Sequence, residues 1–392
     1  MSEYSIPLSV PTLQGNEWKY VKKCIDAEWI SSAGEYVCLF EQKIAEYTGA
    51  KFAIACVNGT SALQVSLRLA GVLSDHEVIV PTLTFIAPVN AIAYNGAHPI
   101  FMDADEFYNI DVKKTIEFIK NETVFKSGFT FNKKTNRRIS AIICVHVFGN
   151  ATWLDELVQL CYERNIPIVE DAAESMGTRY IKGEHSGKHT GTVGLLGCLS
   201  FNGNKIITTG GGGMILTDDK ELANKAHYLT TQAKDDPVQY VHHEIGYNFR
   251  LTNIQAALGV AQLEQLPKFL KRKKQIHRQY VEALESIDGL TIAPVPDYAD
   301  NNHWMNLLHI DKVVYCADRQ VIMACLEANG IQTRPVWALS HLQKPYKECQ
   351  RYKIERANEL VEKSLCLPSS PSLDKSKIKI LVDNLRLEAK IV

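Results

Sequence analysis

Six short apolar runs are spaced along the first half of this chain: FAIACVN (52–58), EVIVP (77–81), PIFMD (99–103), ISAIICVHVFG (139–149), IPIVEDA (166–172) and LGCLSFN (196–202). Each has the length and β-branched content of a buried strand. Between several of them lie patterns such as SALQVSLRLAGV and WLDELVQLCYERN, with apolar residues at i, i+3, i+4 and i+7, which predict helices. Strand–helix alternation with near-continuous apolar strands predicts an α/β domain built on a mostly parallel sheet.

The pattern changes after Thr252. Residues 253–287 predict one long amphipathic helix, kinked at Pro267. Ile254, Leu258, Ala261 and Leu266 share one face, which Leu270, Ile276, Tyr280 and Leu284 continue. The basic run KRKK (271–274) reads as a solvated helix face. We place a domain boundary within this helix. The expected division is an N-terminal segment (1–35), a large domain (36–265) and a small α+β domain (266–392). In the last, HWMNLLHID predicts a strand, RQVIMACLEANG a helix and TRPVWALSHLQKPY a loop, while FNKKTNRRIS (131–140) predicts a polar hairpin or loop.

A net charge of −1 gives no basic excess for nucleic acid, and no apolar run approaches the roughly 20 residues of a membrane span. The first residues lack a basic segment followed by an apolar one, so no secretory leader is expected. The 10 cysteines form no CxxC pair and several sit in apolar contexts, which predicts free thiols in a reducing cytosol and no metal site.

In such a sheet, ligands bind beyond the carboxyl ends of the strands, and three of those ends stand out. The first leads into NGTSAL, where Asn58 can cap a helix whose opening N–H groups and the hydroxyls of Thr60 and Ser61 suit a phosphate; plain capping is the alternative. The second leads into EDAAES, where Asp171, a carboxylate at strand depth, requires a cation or hydrogen-bond donors, or else caps the next helix. The third is SFNGNKIITTGGGGM (200–214), where Lys205 precedes four glycines. A Walker loop is excluded because the glycines follow the lysine. The glycines read as close backbone approach. A phosphate-binding helix start, a buried acid and a lysine are together what pyridoxal phosphate requires: an anchor, a partner for the pyridine nitrogen, and an amine for covalent attachment and proton transfer.

NGTSAL, PTLTF, VEDAAES, SFNGNKIITTGGGGM and GYNFRLTNIQAALG resemble the DegT/DnrJ/EryC1/StrS nucleotide-sugar aminotransferases over roughly residues 5–390. The resemblance implies the fold type I of aspartate aminotransferase, a homodimer, L-glutamate as amino donor and a nucleotide-linked keto sugar as acceptor. It implies Lys205 as the Schiff-base lysine and proton shuttle, and Asp171 as the acid on the pyridine nitrogen. Thr60, Ser61 and Ser200 match phosphate ligands, and Phe85 matches the aromatic residue that stacks on the cofactor ring. Glu174 stands near the ring oxygen, and Asn248 matches a residue that reaches the phosphate from the neighbouring subunit. Arg250 is open between a structural and a substrate role. Because Lys205 is not replaced by the histidine of dehydratase relatives, transamination is the expected reaction.

The amino end, with HVFGN and LTTQAK, most resembles the branch that makes 4-amino sugars for bacillosamine and legionaminic acid. The implied acceptor is UDP-2-acetamido-2,6-dideoxy-α-D-xylo-hexos-4-ulose. Trp29, Ser31 and Ser32 are candidates for contacts to the sugar or diphosphate, with core packing the alternative for Trp29. Arg334 suits a diphosphate or a surface ion pair, and His309 and His341 read as ordinary histidines. The alternatives are a dTDP- or GDP-linked keto sugar and, in another class, a catalytically silent cofactor-binding relative.

Overall fold

The computed structural model describes residues 5–236 and 238–391. Its centre is a ten-stranded sheet. Across the main path run Phe52–Cys56, Gly213–Thr217, Leu196–Ser200, Ile168–Asp171, Arg138–Val145, Glu77–Pro81, His98–Met102 and Arg351–Tyr352. From Leu196–Ser200 to Arg351–Tyr352 neighbouring strands are parallel; Gly213–Thr217 runs antiparallel to both its neighbours. Glu77–Pro81 is buried at every residue, as a strand covered by helices on both faces must be.

The apolar runs thus contain strands, and one run also contains a turn. The run at 139–149 stops being a strand at Val145, and Val147–Gly149 forms a tight turn with Phe148 at φ 57°. The expected hairpin at 131–140 is present, Phe131 pairing with Arg138 across the polar turn between Phe129–Asn132 and Arg138–Val145, and a further strand, Thr123–Lys126, pairs with the other edge of Phe129–Asn132.

Helices connect the strands. Gly59–Leu69 is capped by Asn58, whose Oδ1 accepts from the Ser61 N–H at 2.7 Å. Asn253–Leu284 is a single helix that carries Pro267 on its exposed side without ending there. At its start Gln255 Oε1 accepts from the Thr252 hydroxyl at 2.7 Å. The basic run on this helix is not uniformly solvated: Lys273 is 1% exposed and donates to the Trp304 carbonyl at 2.7 Å. It falls at helical spacing between the buried Phe269, Ile276 and Tyr280, so its face points inward.

A second, antiparallel sheet joins Leu290–Ile292, Asn306–Ile310, Ser364–Leu367 and Arg334–Pro335. A separate core packs on it, with Ile276, Tyr280, Leu308, Leu326, Leu365 and Leu381 and, from the amino end, Ile6. The amino segment is sewn down: Ile6 bridges to Ile331, the Leu8 N–H donates to Gln332 Oε1 at 3.0 Å and Val10 N–H to Ser370 Oγ at 2.9 Å.

Candidate active site

The carboxyl ends of the parallel strands open into a cleft of about 570 Å³. Asn58, Gly59 and Thr60 line it with Ser200 directly beside Gly59, and Asp171, Glu174 and Lys205 complete the polar lining. Phe85 and Arg334 also line it. Residues far apart in the sequence therefore converge because the helix start after the first strand and the ends of two later strands share one edge of the sheet.

Asp171 ends its strand with 5% exposure, and Oδ1 accepts from the Ala173 N–H at 3.0 Å. Burial pushes its carboxyl up to about 6; the Ala173 N–H and the charges of Lys205 and His146 oppose that rise, and Glu174 adds to it. Behind it stands a buried pair that sequence reasoning missed. His146 Nε2 bonds Glu170 Oε2 at 2.8 Å, and Glu170 also accepts from the N–H groups of Gly191, Val193 and Gly194. Burial opposes it, but these donors hold the Glu170 carboxyl below the usual range. The His146 N–H donates to the Asp171 carbonyl at 3.0 Å, which ties the pair to the acid.

Lys205 Nζ donates to Glu174 Oε1 at 3.2 Å, and Glu174 Oε2 accepts from the Phe148 N–H at 2.8 Å. The positive φ of Phe148 is unfavourable for a bulky residue by about 1–3 kcal/mol, and it aims this N–H at the carboxylate. The lysine amine lies 4.2 Å from the centre of the Trp304 ring. Trp304, Phe148 and Trp337 stack as a wall, and Phe85 meets Trp337 edge-on at 6.0 Å. Phe85 is 54% exposed, a large ring presented to the cleft instead of buried.

The glycine run now has a local cause. A Cβ on Gly213 would stand 2.4 Å from the backbone of Asn58, and one on Gly59 would stand 2.9 Å from Ser200 Cβ. The helix start and the strand after the lysine pass backbone to backbone. Gly211 meets nothing nearer than 3.9 Å.

Ser61 is buried behind the helix start; its N–H serves the Asn58 cap. Arg334 is exposed, with Nη1 donating to its neighbour Thr333 O at 3.0 Å. Trp29, Ser31, Ser32 and Asn248 lie outside the cleft of their own chain. Trp29 is 57% exposed, so it is not a core residue; the backbone carbonyls of Trp29 and Ser31 bind Asn253. Arg250 makes a two-point pair with Glu41, at 2.5 and 3.2 Å, away from the cleft. His309 and His341 bond Tyr108 and Thr82. The amino segment contributes Leu8 and Ser9 to the cleft wall, and Ser9 Oγ donates to the Asn204 carbonyl at 3.1 Å. Only a polar-tipped aromatic at the start of a strand hinted at Trp304. Nothing in the sequence marked Ser9.

The cleft fits pyridoxal phosphate. The N–H groups of Gly59 and Thr60 have no partner within the helix and suit a phosphate, with the hydroxyls of Thr60 and Ser200 beside them, whereas the Ser61 N–H is taken by Asn58. Thr84 Oγ1, in the same cleft, is buried without a hydrogen-bond partner, an acceptor or donor left for a ligand.

Such a cleft at the edge of such a mixed sheet defines a pyridoxal phosphate-dependent transferase of fold type I. The chain belongs to the DegT/DnrJ/EryC1/StrS aminotransferase family, whose model matches residues 11–386. It is 37% identical to GDP-perosamine synthase of Escherichia coli O157:H7, over 97% of both chains. Among solved structures it is similar to a DegT DnrJ EryC1 StrS aminotransferase from Brucella abortus (TM-score 0.85, 28% identity, 95% of this chain and 94% of that one). It is likewise similar to DesI crystallised with its TDP-sugar product (TM-score 0.87, 26% identity, 99% of this chain and 94% of that one). The chain is thus a sugar aminotransferase that uses pyridoxal phosphate. Among the described residues no helix is long and apolar enough to cross a membrane, and no cluster of three metal-ligating side chains is found.

Proposed function

We propose that the protein moves the amino group of L-glutamate to C4 of a nucleotide-linked 4-keto-6-deoxy sugar. The observation that carries this reading is the convergence of Lys205, Asp171 and the Asn58-capped helix start in one cleft. The N–H groups of Gly59 and Thr60 and the hydroxyls of Thr60 and Ser200 bind the phosphate. Asp171, acceptor-only when ionised, would hold the proton of a bound pyridine nitrogen. Phe85 supplies the stacking face and Glu174 steadies the Lys205 amine. When bound, pyridoxal phosphate supplies an electron sink for the carbon that bears the transferred amine. Lys205 Nζ takes the proton from that carbon in the glutamate half-reaction and delivers one to the sugar carbon in the second. Arg334 faces the diphosphate, and Trp29, Ser31, Ser32 and Asn248 complete the site from the neighbouring subunit of a homodimer.

For the acceptor, the amino-end resemblance supports UDP-2-acetamido-2,6-dideoxy-α-D-xylo-hexos-4-ulose, and with it a place in surface-glycan synthesis. The relative named GDP-perosamine synthase supports a GDP-linked sugar as the second reading. A coupled assay with L-glutamate and UDP-, GDP- and dTDP-linked keto sugars, with NMR of the product, separates them. Turnover of none of these, in protein whose visible absorbance does not change on adding glutamate, defeats the proposal. Lys205→Ala is expected to fold and to lose turnover by at least about a thousandfold; near-normal turnover contradicts the assigned role.

A further inference from the structure

We propose that Trp304 is a positioning residue for amino transfer, fixing Lys205 from behind through the Asn204 carbonyl and in front at the amine. The inference rests on the reading of Lys205 given above. The Trp304 indole N–H donates to Asn204 O at 2.9 Å, and Ser9 Oγ donates to the same oxygen at 3.1 Å. The peptide that precedes the lysine is therefore clamped by two donors from opposite ends of the chain. The ring face of the same indole lies 4.2 Å from Lys205 Nζ, where its quadrupole attracts a protonated amine.

Trp304 is itself held at every polar point. Its N–H donates to Asn302 Oδ1 at 2.8 Å, and its carbonyl accepts from the buried Lys273 at 2.7 Å. Asn302 Nδ2 donates to the Glu174 carbonyl at 2.8 Å, so the indole and the carboxylate that flank the lysine share one support. Phe148 closes the circuit: its ring stacks on Trp304 at 17°, and its N–H holds Glu174 Oε2. The lysine has a flexible four-carbon stem, and its tip must return to one point in each half-reaction. The Trp304–Glu174 circuit defines that point.

The test uses Trp304→Leu and Trp304→Phe in the holoenzyme, with L-glutamate and the accepted keto sugar. In parallel, apoprotein is pulsed with acetic anhydride and acetylation of Lys205 is read by peptide mass spectrometry. Trp304→Leu is expected to lower kcat about tenfold to a hundredfold with the sugar KM nearly unchanged, and to speed acetylation of Lys205 several-fold. Trp304→Phe keeps a ring without the N–H and falls between. Wild-type kcat and acetylation in Trp304→Leu overturn the proposal, as does a raised KM with unchanged kcat, which makes the indole a substrate wall only. If Trp304→Leu does not fold, Trp304→Phe decides alone: unchanged kcat and acetylation there overturn it. Lys205→Ala is run alongside, and retention of the covalent cofactor band in that variant defeats the reading of Lys205 itself.

Discussion

At Asp171, burial pushes the carboxyl from its ordinary value of about 4 up to about 6 by withholding water from its charge. A raised folded-state value makes the contribution to stability fully present below about pH 4, the unfolded value, and lost as pH rises through about 6. In the apoprotein this costs about 3 kcal/mol at neutral pH. Asp171→Asn keeps an oxygen for the Ala173 N–H and removes the charge. We expect urea unfolding of the apoproteins to show the variant more stable by up to about 3 kcal/mol near pH 7.5, and no difference near pH 4. The same variant is expected to lose transaminase activity, because its amide cannot hold the pyridine proton. Equal stability at both pH values contradicts the burial argument. This acid was legible in the sequence because a carboxylate that closes an apolar strand has few explanations, and Lys205 was legible from its glycines. Glu170, His146 and Trp304 were not, because their meaning lies in partners distant along the chain.

The helix start proposed above to hold the phosphate is shaped by its crossing with the Gly213–Thr217 strand. Gly213→Ala must push Asn58 or the strand aside, at a cost of about 1–3 kcal/mol, and should weaken cofactor affinity because the helix start moves with it. Gly211→Ala, with its nearest atom at 3.9 Å, should change stability by no more than about 0.5 kcal/mol. Thermal melts and cofactor titrations of the two variants check this; equal effects would remove the steric cause. Most strand and helix positions were readable because apolar periodicity follows burial directly, whereas the order of strands in the sheet and the antiparallel Gly213–Thr217 strand were not predicted. The Lys273 side of the long helix was misread as solvated because charge was weighed above spacing: the residue lies in line with Phe269 and Ile276. The turn at Phe148 was hidden inside an apolar run whose end depends on tertiary contact with Glu174.

Across the described residues three hydrophobic clusters are present, two on the large sheet and one on the small sheet, and we propose that the parts built on the two sheets are two domains parting within the Asn253–Leu284 helix, joined again by the Arg351–Tyr352 strand and by Ile6. The shared site proposed for the dimer predicts complementation. Lys205→Ala and Asn248→Asp, each inactive alone, should regain part of the activity when unfolded together and refolded, since one site of a mixed dimer then holds both native residues. No recovery on mixing would place Asn248 outside the site. Asn248 is exposed in its own chain, in keeping with that arrangement. The leading segment, meanwhile, is sewn to residues 331–332 and 370 and lends Leu8 and Ser9 to the reaction chamber. A substitution at Leu8 or Ser9 therefore reshapes the chamber from outside the central sheet, with every strand left as it was.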